Sequence, residues 1–239
     1  MATIFRSSLV FPTLNKGVLR PSAKPATYYR RRVRQQLYST PPLLGRLSDV
    51  IKEDHRELGA YHRHILECTD MDEQARFQNL FIWELARHAI SEELVVYPVL
   101  EKDVADGKAL ADRDRAEHQA VKEKLYKFQK MRPEDWDFEP ALESLMEDLR
   151  RHIREEEEED LERLEEVLGH ARSESLAWSF ERTKMFTPTR SHPSVPNKPP
   201  FETVVGLMEA PLDKLRDLFA TFPTEEEKAK AKAKAKTKG

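Results

Sequence analysis

The sequence is short of three things, and each shortage narrows what the protein does. It has one cysteine, Cys68, in 239 residues, which excludes an intrachain disulfide framework and a zinc site built from several thiolates. No window approaches the roughly 18 consecutive apolar residues of a membrane-spanning helix, and no compact apolar segment followed by a small-residue site marks a secretory signal. The third shortage is local: no aspartate or glutamate precedes Asp49. That stretch instead holds nine cations, Arg6, Lys16, Arg20, Lys24, Arg30, Arg31, Arg32, Arg34 and Arg46, so a net charge of −3 hides an uneven distribution.

An acid-free leader carrying Arg, Ser and scattered Leu, Val, Phe and Tyr has the texture of a mitochondrial presequence, processed near Tyr38 or Ser39 and delivering the protein to the matrix. The rival reading is a disordered basic arm of a cytoplasmic protein that binds nucleic acid or an anionic surface. Nothing in it specifies a nucleic-acid target.

From Leu47 the texture changes to charged helices with regular apolar stripes. Leu47, Ile51, Leu58 and Ile65 share one side of a first helix ending near Cys68, with Ser48 or Asp49 available to cap it. Asp70 or Asp72 starts a second helix with Phe77, Leu80, Phe81, Leu85, Val95 and Val99. A third, about 108–130, carries Ala111, Val121, Leu125 and Phe128; a fourth, about 139–169, carries Leu142, Leu145, Leu149, Leu161 and Leu164. Short connections between amphipathic helices predict an all-α, up-down-up-down antiparallel four-helix bundle. The organisation is then a basic leader (1–46), the bundle (47–170), a short helix and Pro-rich linker (171–200), a C-terminal helical segment (201–223) and a Lys/Ala-rich disordered tail (224–239). The apolar content of 201–223 predicts docking, on the bundle or on a protein partner.

The chemistry lies in a repeated pattern. His88 and Glu92 form an H-x-x-x-E pair, as do His152 and Glu156, and residues four apart project from one helix face. His55 and His118 stand alone on the preceding helices, 33 and 34 residues before their partners. One unit, a lone His helix followed by an H-x-x-x-E helix, thus occurs twice. Folding each unit at its loop brings the ligand pairs to one depth, offset by roughly 6 Å, about one helical turn. Four histidines and two glutamates converging in a bundle interior need a partner, and metal coordination supplies one. Imidazole with carboxylate suits iron, and a Glu on each of the second and fourth helices can bridge two ions. The ferritin-like bundles use Glu-x-x-His instead, so this site is richer in nitrogen.

These strings, Asp54-His55-Arg56-Glu57-Leu58, His88-Ala89-Ile90-Ser91-Glu92-Glu93, Glu117-His118 and His152-Ile153-Arg154-Glu155-Glu156-Glu157, resemble the hemerythrin-like, or HHE, cation-binding domain. Residues 191–201 with the helix after them resemble the C-terminal extension of its fungal members. The resemblance implies a four-helix bundle with two non-haem iron ions, carboxylate-bridged, on His55, His88, Glu92, His118, His152 and Glu156. Oxygen carriers of the family place a further His four residues after the one on the third helix, where this chain has Lys122, and place the last acid at the position of Glu157. Both Glu156 and Glu157 therefore stand as candidates.

The single histidines outside the set have plainer readings: His62 as a core residue or an outer hydrogen-bond donor, His64 as solvent-facing. Cys68 reads as a small buried hydrophobe. Tyr61 and Tyr97 are candidates to face the pocket. The function expected is a di-iron protein that binds oxygen, nitric oxide or peroxide, or that buffers or senses iron. The alternatives are an oxidase or a peroxide- or nitric-oxide-consuming enzyme, which needs a substrate cavity and a dedicated acid or redox side chain, and a regulatory scaffold stabilised by metal. No dedicated catalytic residue is evident.

Overall fold

A computed structural model describes residues 45–194, 213–214, 216–218 and 220–237 of the chain. The presequence reading, the linker beyond Ser194 and most of segment 201–223 lie outside the described residues.

The first helix, α1 (Leu47–Glu67), buries Leu47, Ile51, Leu58 and Ile65. Its free N-terminal amides are satisfied partly from far along the chain. Asp49 accepts from the Arg46 N–H (3.0 Å), Ser173 Oγ from Leu47 (2.8 Å), and Glu165 from Ser48 (3.0 Å). Asp70 caps α2 (Met71–Ser91) by accepting from the Glu73 N–H. The second bundle helix does not then continue as a plain α-helix. It passes through one wide π-type turn, Glu92–Val96, before α3 (Tyr97–Asp103), with the Tyr97 N–H donated to the Glu92 carbonyl. Pro98, which has no N–H to donate, follows directly. The fourth bundle helix repeats this: α5 (Phe138–Glu155), a wide turn Glu156–Asp160, and α6 (Leu161–Leu168), with Leu161 N–H donated to the Glu156 carbonyl. Between them runs α4 (Gly107–Phe128).

Gly107 fixes the α3–α4 connection, because a methyl group there would lie 1.9 Å from the Leu100 carbonyl oxygen. Gly107→Ala is expected to lower the unfolding free energy by about 1–3 kcal/mol, the usual cost of overpacking. Chemical denaturation measures it, and an unchanged midpoint would show that the loop yields freely.

The four bundle helices alternate in direction, as the short connections require. Their interior is divided. One apolar cluster, including Leu58, Phe77, Phe81, Leu85, Leu125, Phe128 and Leu145, fills one end. A second, including Leu47, Ile51, Val96, Leu100, Leu110, Leu161 and Leu164, fills the other. His55, His88, His118 and His152 fall between them in sequence on every helix, so a polar layer lies across the bundle between two dry ends.

Among the described residues, two further complete helices follow the bundle. The expected short helix at 173–182 is α7 (His170–Lys184), whose Ala177 and Phe180 join the second cluster. The tail expected to be disordered is instead a helix over most of its length, α8 (Glu225–Thr237), packed along α1. Thr224 and Glu227 form a reciprocal capping box at its start. Lys232 pairs with Glu57, Lys234 with Glu67 (2.6 Å), and Glu227 with Arg76 (2.7 Å). Alternating Lys and Ala looks like a solvated tail, but alanine is the strongest helix former and the acids lead while the lysines trail.

Candidate metal centre

All six expected residues are buried and come together: His55, His88, Glu92, His118, His152 and Glu156. Nε2 of His55 lies 3.2 Å from Nε2 of His88, and Nε2 of His118 lies 2.9 Å from Nε2 of His152. Glu92 stands between the pairs. Its Oε1 is 3.1 Å from Nε2 of His88 and its Oε2 is 3.3 Å from Nε2 of His118. One oxygen of Glu156 faces both pairs as well, 3.4 Å from His55 Nε2 and 3.9 Å from His152 Nε2. Two groups with metal-binding spacing result, His55–His88–Glu92 and Glu92–His118–His152, and they share Glu92.

The residues fit a cation on local grounds. None of the four oxygens of Glu92 and Glu156 has a well-formed hydrogen-bond partner, although all are buried. Orphaned buried carboxylate oxygens are costly unless a positive charge sits among them. The facing nitrogens make the same demand, since two bare imidazole lone pairs at this separation need a proton or a metal between them. Two nitrogens on adjacent coordination positions of one metal, each bonded at about 2.1 Å, stand about 3 Å apart.

The other ring nitrogens are equally committed. Nδ1 of His88 contacts Asp54 (3.1 Å), Nδ1 of His118 contacts Glu93 (3.2 Å), Nδ1 of His152 contacts Glu117 (2.9 Å) and Nδ1 of His55 contacts Glu157 (2.7 Å). Each helix thus lends an acid to the histidine of the next, in a closed circuit of four. A carboxylate on Nδ1 puts the proton there, turns the Nε2 lone pair inward and makes the ring a better ligand. Glu156 and Glu157 thereby take different places: Glu156 points into the centre, while Glu157 holds His55 from outside.

A further layer of cations backs these acids. Lys122 Nζ is 2.5 Å from Glu93, so Lys122 contacts an outer acid. Lys184 of α7 reaches both oxygens of Asp54 (2.8 and 2.7 Å), and Phe180 stands edge-on to His88. α7 is therefore part of the support of the site.

Burial shapes the charge state. It would push His88 down, but Glu92 and Asp54 outweigh it and raise the ring to about 9. His118 is likewise raised against burial by Glu92 and Glu93. Their partners go the other way: burial lowers His55, and burial with the neighbouring His118 pushes His152 down to about 4. Within each pair the two rings are thus pushed in opposite directions. Glu92 stays anionic because His88 and His118 outweigh its burial, while burial and the charge of Glu92 drive Glu156 up.

Tyr97 is the tyrosine that enters, its hydroxyl 3.0 Å from Nε2 of His118; Tyr61 donates to Glu57 instead. Burial and the surrounding carboxylates raise Tyr97 well above its ordinary value, so it remains a hydrogen-bond donor. His62 is a core residue beside Arg150 and Glu143 and makes no contact with the centre among the described residues. His64, expected to face water, pairs with Glu73 (3.0 Å) over the ring of Phe77. Cys68 is half-buried, its thiol directed at the Asp70 carbonyl.

Sequence reading did not assign the four outer acids, although a local signal exists: each is a direct neighbour of a core residue, at 54–55, 92–93, 117–118 and 156–157. It also did not single out Asp114 and Asp160, which are buried one turn away from His118 and Glu156. Burial and Asp160 raise Asp114 to about 7, and burial raises Asp160 to about 6 although Arg113 opposes it.

Residues 46–164 match the family described as the hemerythrin HHE cation binding domain. A hemerythrin-like protein of Schizosaccharomyces pombe is 54% identical over 181 residues, spanning 75% of this chain and 89% of that one. The crystal structure of a hemerythrin HHE cation binding domain-containing protein from Mycobacterium kansasii shares the fold, with a TM-score of 0.52 at 23% identity over 59% of this chain and 85% of that one. With its bundle, its convergent histidines and glutamates and these relatives taken together, the chain belongs to the hemerythrin-like, HHE cation-binding family.

Proposed function

We propose that this centre holds two iron ions, one among His55, His88 and Glu92 and one among Glu92, His118 and His152, with Glu156 facing both, and that it binds a small ligand such as oxygen, nitric oxide or peroxide, or buffers or senses iron. The observation that carries this reading is that one fully buried carboxylate, Glu92, belongs to both groups. A mixed imidazole and carboxylate set without thiolate favours iron over zinc. Bound iron supplies a coordination position for a small ligand and a redox couple.

The protein's own part is orientation and exclusion. The circuit of outer acids fixes each ring, and the apolar clusters on either side keep bulk water out. Tyr97 keeps an O–H directed into the centre, where it can donate to a ligand. A cavity beside Lys122, lined by Ala86, Ala89, Val121 and Leu125, has about 20 Å³ of space. That is room for about one water, and none of the six residues of the centre lines it.

Protein purified from iron-replete cells without added metal is expected to hold about two irons per chain. Its reduced form should change its optical spectrum on exposure to oxygen, peroxide or nitric oxide. Zinc, or no metal, in such protein would overturn the reading.

A further inference from the structure

We infer that His64, Cys68 and Glu73, at the corner joining α1 to α2, form a separate metal site. It takes one divalent cation of zinc type through a nitrogen, a sulfur and an oxygen, in addition to the ions of the bundle centre.

Each of the three residues offers one ligand atom, and those atoms all lie within 4.8 Å of one another. His64 and Cys68 stand four residues apart at the end of α1, so their side chains rise from one face. Glu73 belongs to the first turn of α2 and reaches back, its Oε1 3.0 Å from Nε2 of His64. Around a tetrahedral ion bonded at about 2.1 Å to nitrogen and oxygen and about 2.3 Å to sulfur, neighbouring ligand atoms stand roughly 3.5 Å apart. Small side-chain rotations bring the corner to that arrangement.

The backbone under the donors is held firmly, as a preorganised site requires. Buried Gln74 donates to the carbonyls of Ile65 and Cys68, both at 2.9 Å, and the Cys68 N–H closes on the His64 carbonyl (2.9 Å). Asp70 accepts from the Glu73 N–H (3.0 Å), and the His64 ring packs against Phe77 with centroids 4.0 Å apart. The thiol itself has only a long contact to the Asp70 carbonyl (3.6 Å). All three side chains are half-buried, so an ion can enter from solvent and keep a water as its fourth ligand.

A thiolate beside imidazole and carboxylate selects zinc over calcium or magnesium, whereas the bundle centre has no sulfur. His64 follows His55 by nine residues, about 14 Å along α1, so the two sites do not share ligands. A redox role for the cysteine fits less well. Burial and Glu73 raise the Cys68 thiol above its ordinary value, and reactive cysteines are instead thiolates in positive surroundings.

The test uses the full chain with its iron centre loaded and reduced, titrated anaerobically with cobalt(II), a coloured stand-in for zinc. One cobalt per chain should bind with near-ultraviolet thiolate-to-cobalt absorption, and zinc should displace it. Cys68→Ser should abolish that absorption. His64→Ala and Glu73→Gln should each weaken cobalt binding at least about 10-fold, the low end even for changes outside a ligand shell. Iron content and circular dichroism should stay unchanged in all three. Absence of a Cys68-dependent absorption would overturn the inference. So would unchanged cobalt affinity in His64→Ala and Glu73→Gln, the mark of a lone thiol taking up metal. Zinc that purified protein loses with Cys68→Ser belongs to this corner; zinc that stays occupies the centre in place of iron.

Discussion

Glu92→Gln is expected to empty both metal positions at once, whereas Glu157→Gln weakens one. Glu92 offers an oxygen to each histidine pair, at 3.1 Å from His88 and 3.3 Å from His118. An amide keeps the shape but removes the negative charge and turns one of those oxygens into an NH₂ group, which cannot accept a metal. Both ions lose a ligand, and their mutual repulsion loses the anion between them. The loss in affinity should exceed the roughly 10–100-fold typical of changes outside the ligand shell. Glu157 touches only Nδ1 of His55, so its amide should weaken the His55–His88 metal within that range and leave the other intact. Iron titration of both variants, with circular dichroism to confirm the helices, separates the cases. A Glu92→Gln protein that retains one tightly bound iron would show that the carboxylate is not shared.

Raising the pH from 6.5 to 9 should tighten metal binding at the His55–His88 position by roughly 150-fold, close to tenfold per pH unit for one displaced proton until the gain levels off near pH 9. The raised value of His88, about 9, means that the ring carries a proton through this range when no metal is present, and a metal must displace it. Glu156, driven up by burial and Glu92, adds in the same direction. His55 and His152 are pushed down and are already neutral. The linked stability has the opposite sign. A histidine whose folded value lies above its unfolded one, about 6.5, stabilises the metal-free fold fully below pH 6.5 and loses that contribution as the pH rises through 9. The gap in melting temperature between loaded and metal-free protein should therefore widen with pH. Competition against a chelator of known affinity measures the first effect and thermal melts the second. An affinity that is flat from pH 6.5 to 9 would contradict the protonated His88.

Helix positions follow from apolar periodicity, and the bounds agree to within a residue or two where a local cap such as Asp70 exists. The wide turns at Glu92 and Glu156 were not legible, because a π turn is set by which carbonyl the backbone meets, not by a residue pattern. The helical character of 225–237 was written in Thr224, Glu227 and the alanines, but its seat on α1 needs Glu57 and Glu67.

By itself the sequence determined the bundle, the twofold repeat and the candidates for the centre, with Glu156 and Glu157 both open, because a spacing of four on a helix fixes which side chains share a face. Only the tertiary structure decided what surrounds them. Asp54, Glu93, Glu117 and Glu157 each hold a histidine on a different helix. Glu156 and Glu157 differ in role only because the helix axis is placed against its neighbours. Asp114 and Ile51 occupy matching places in the repeat, yet one is a buried carboxylate beside Arg113 and the other core. Contacts between helices depend on rotation and depth of packing, and those are properties of the assembled bundle, absent from any one helix.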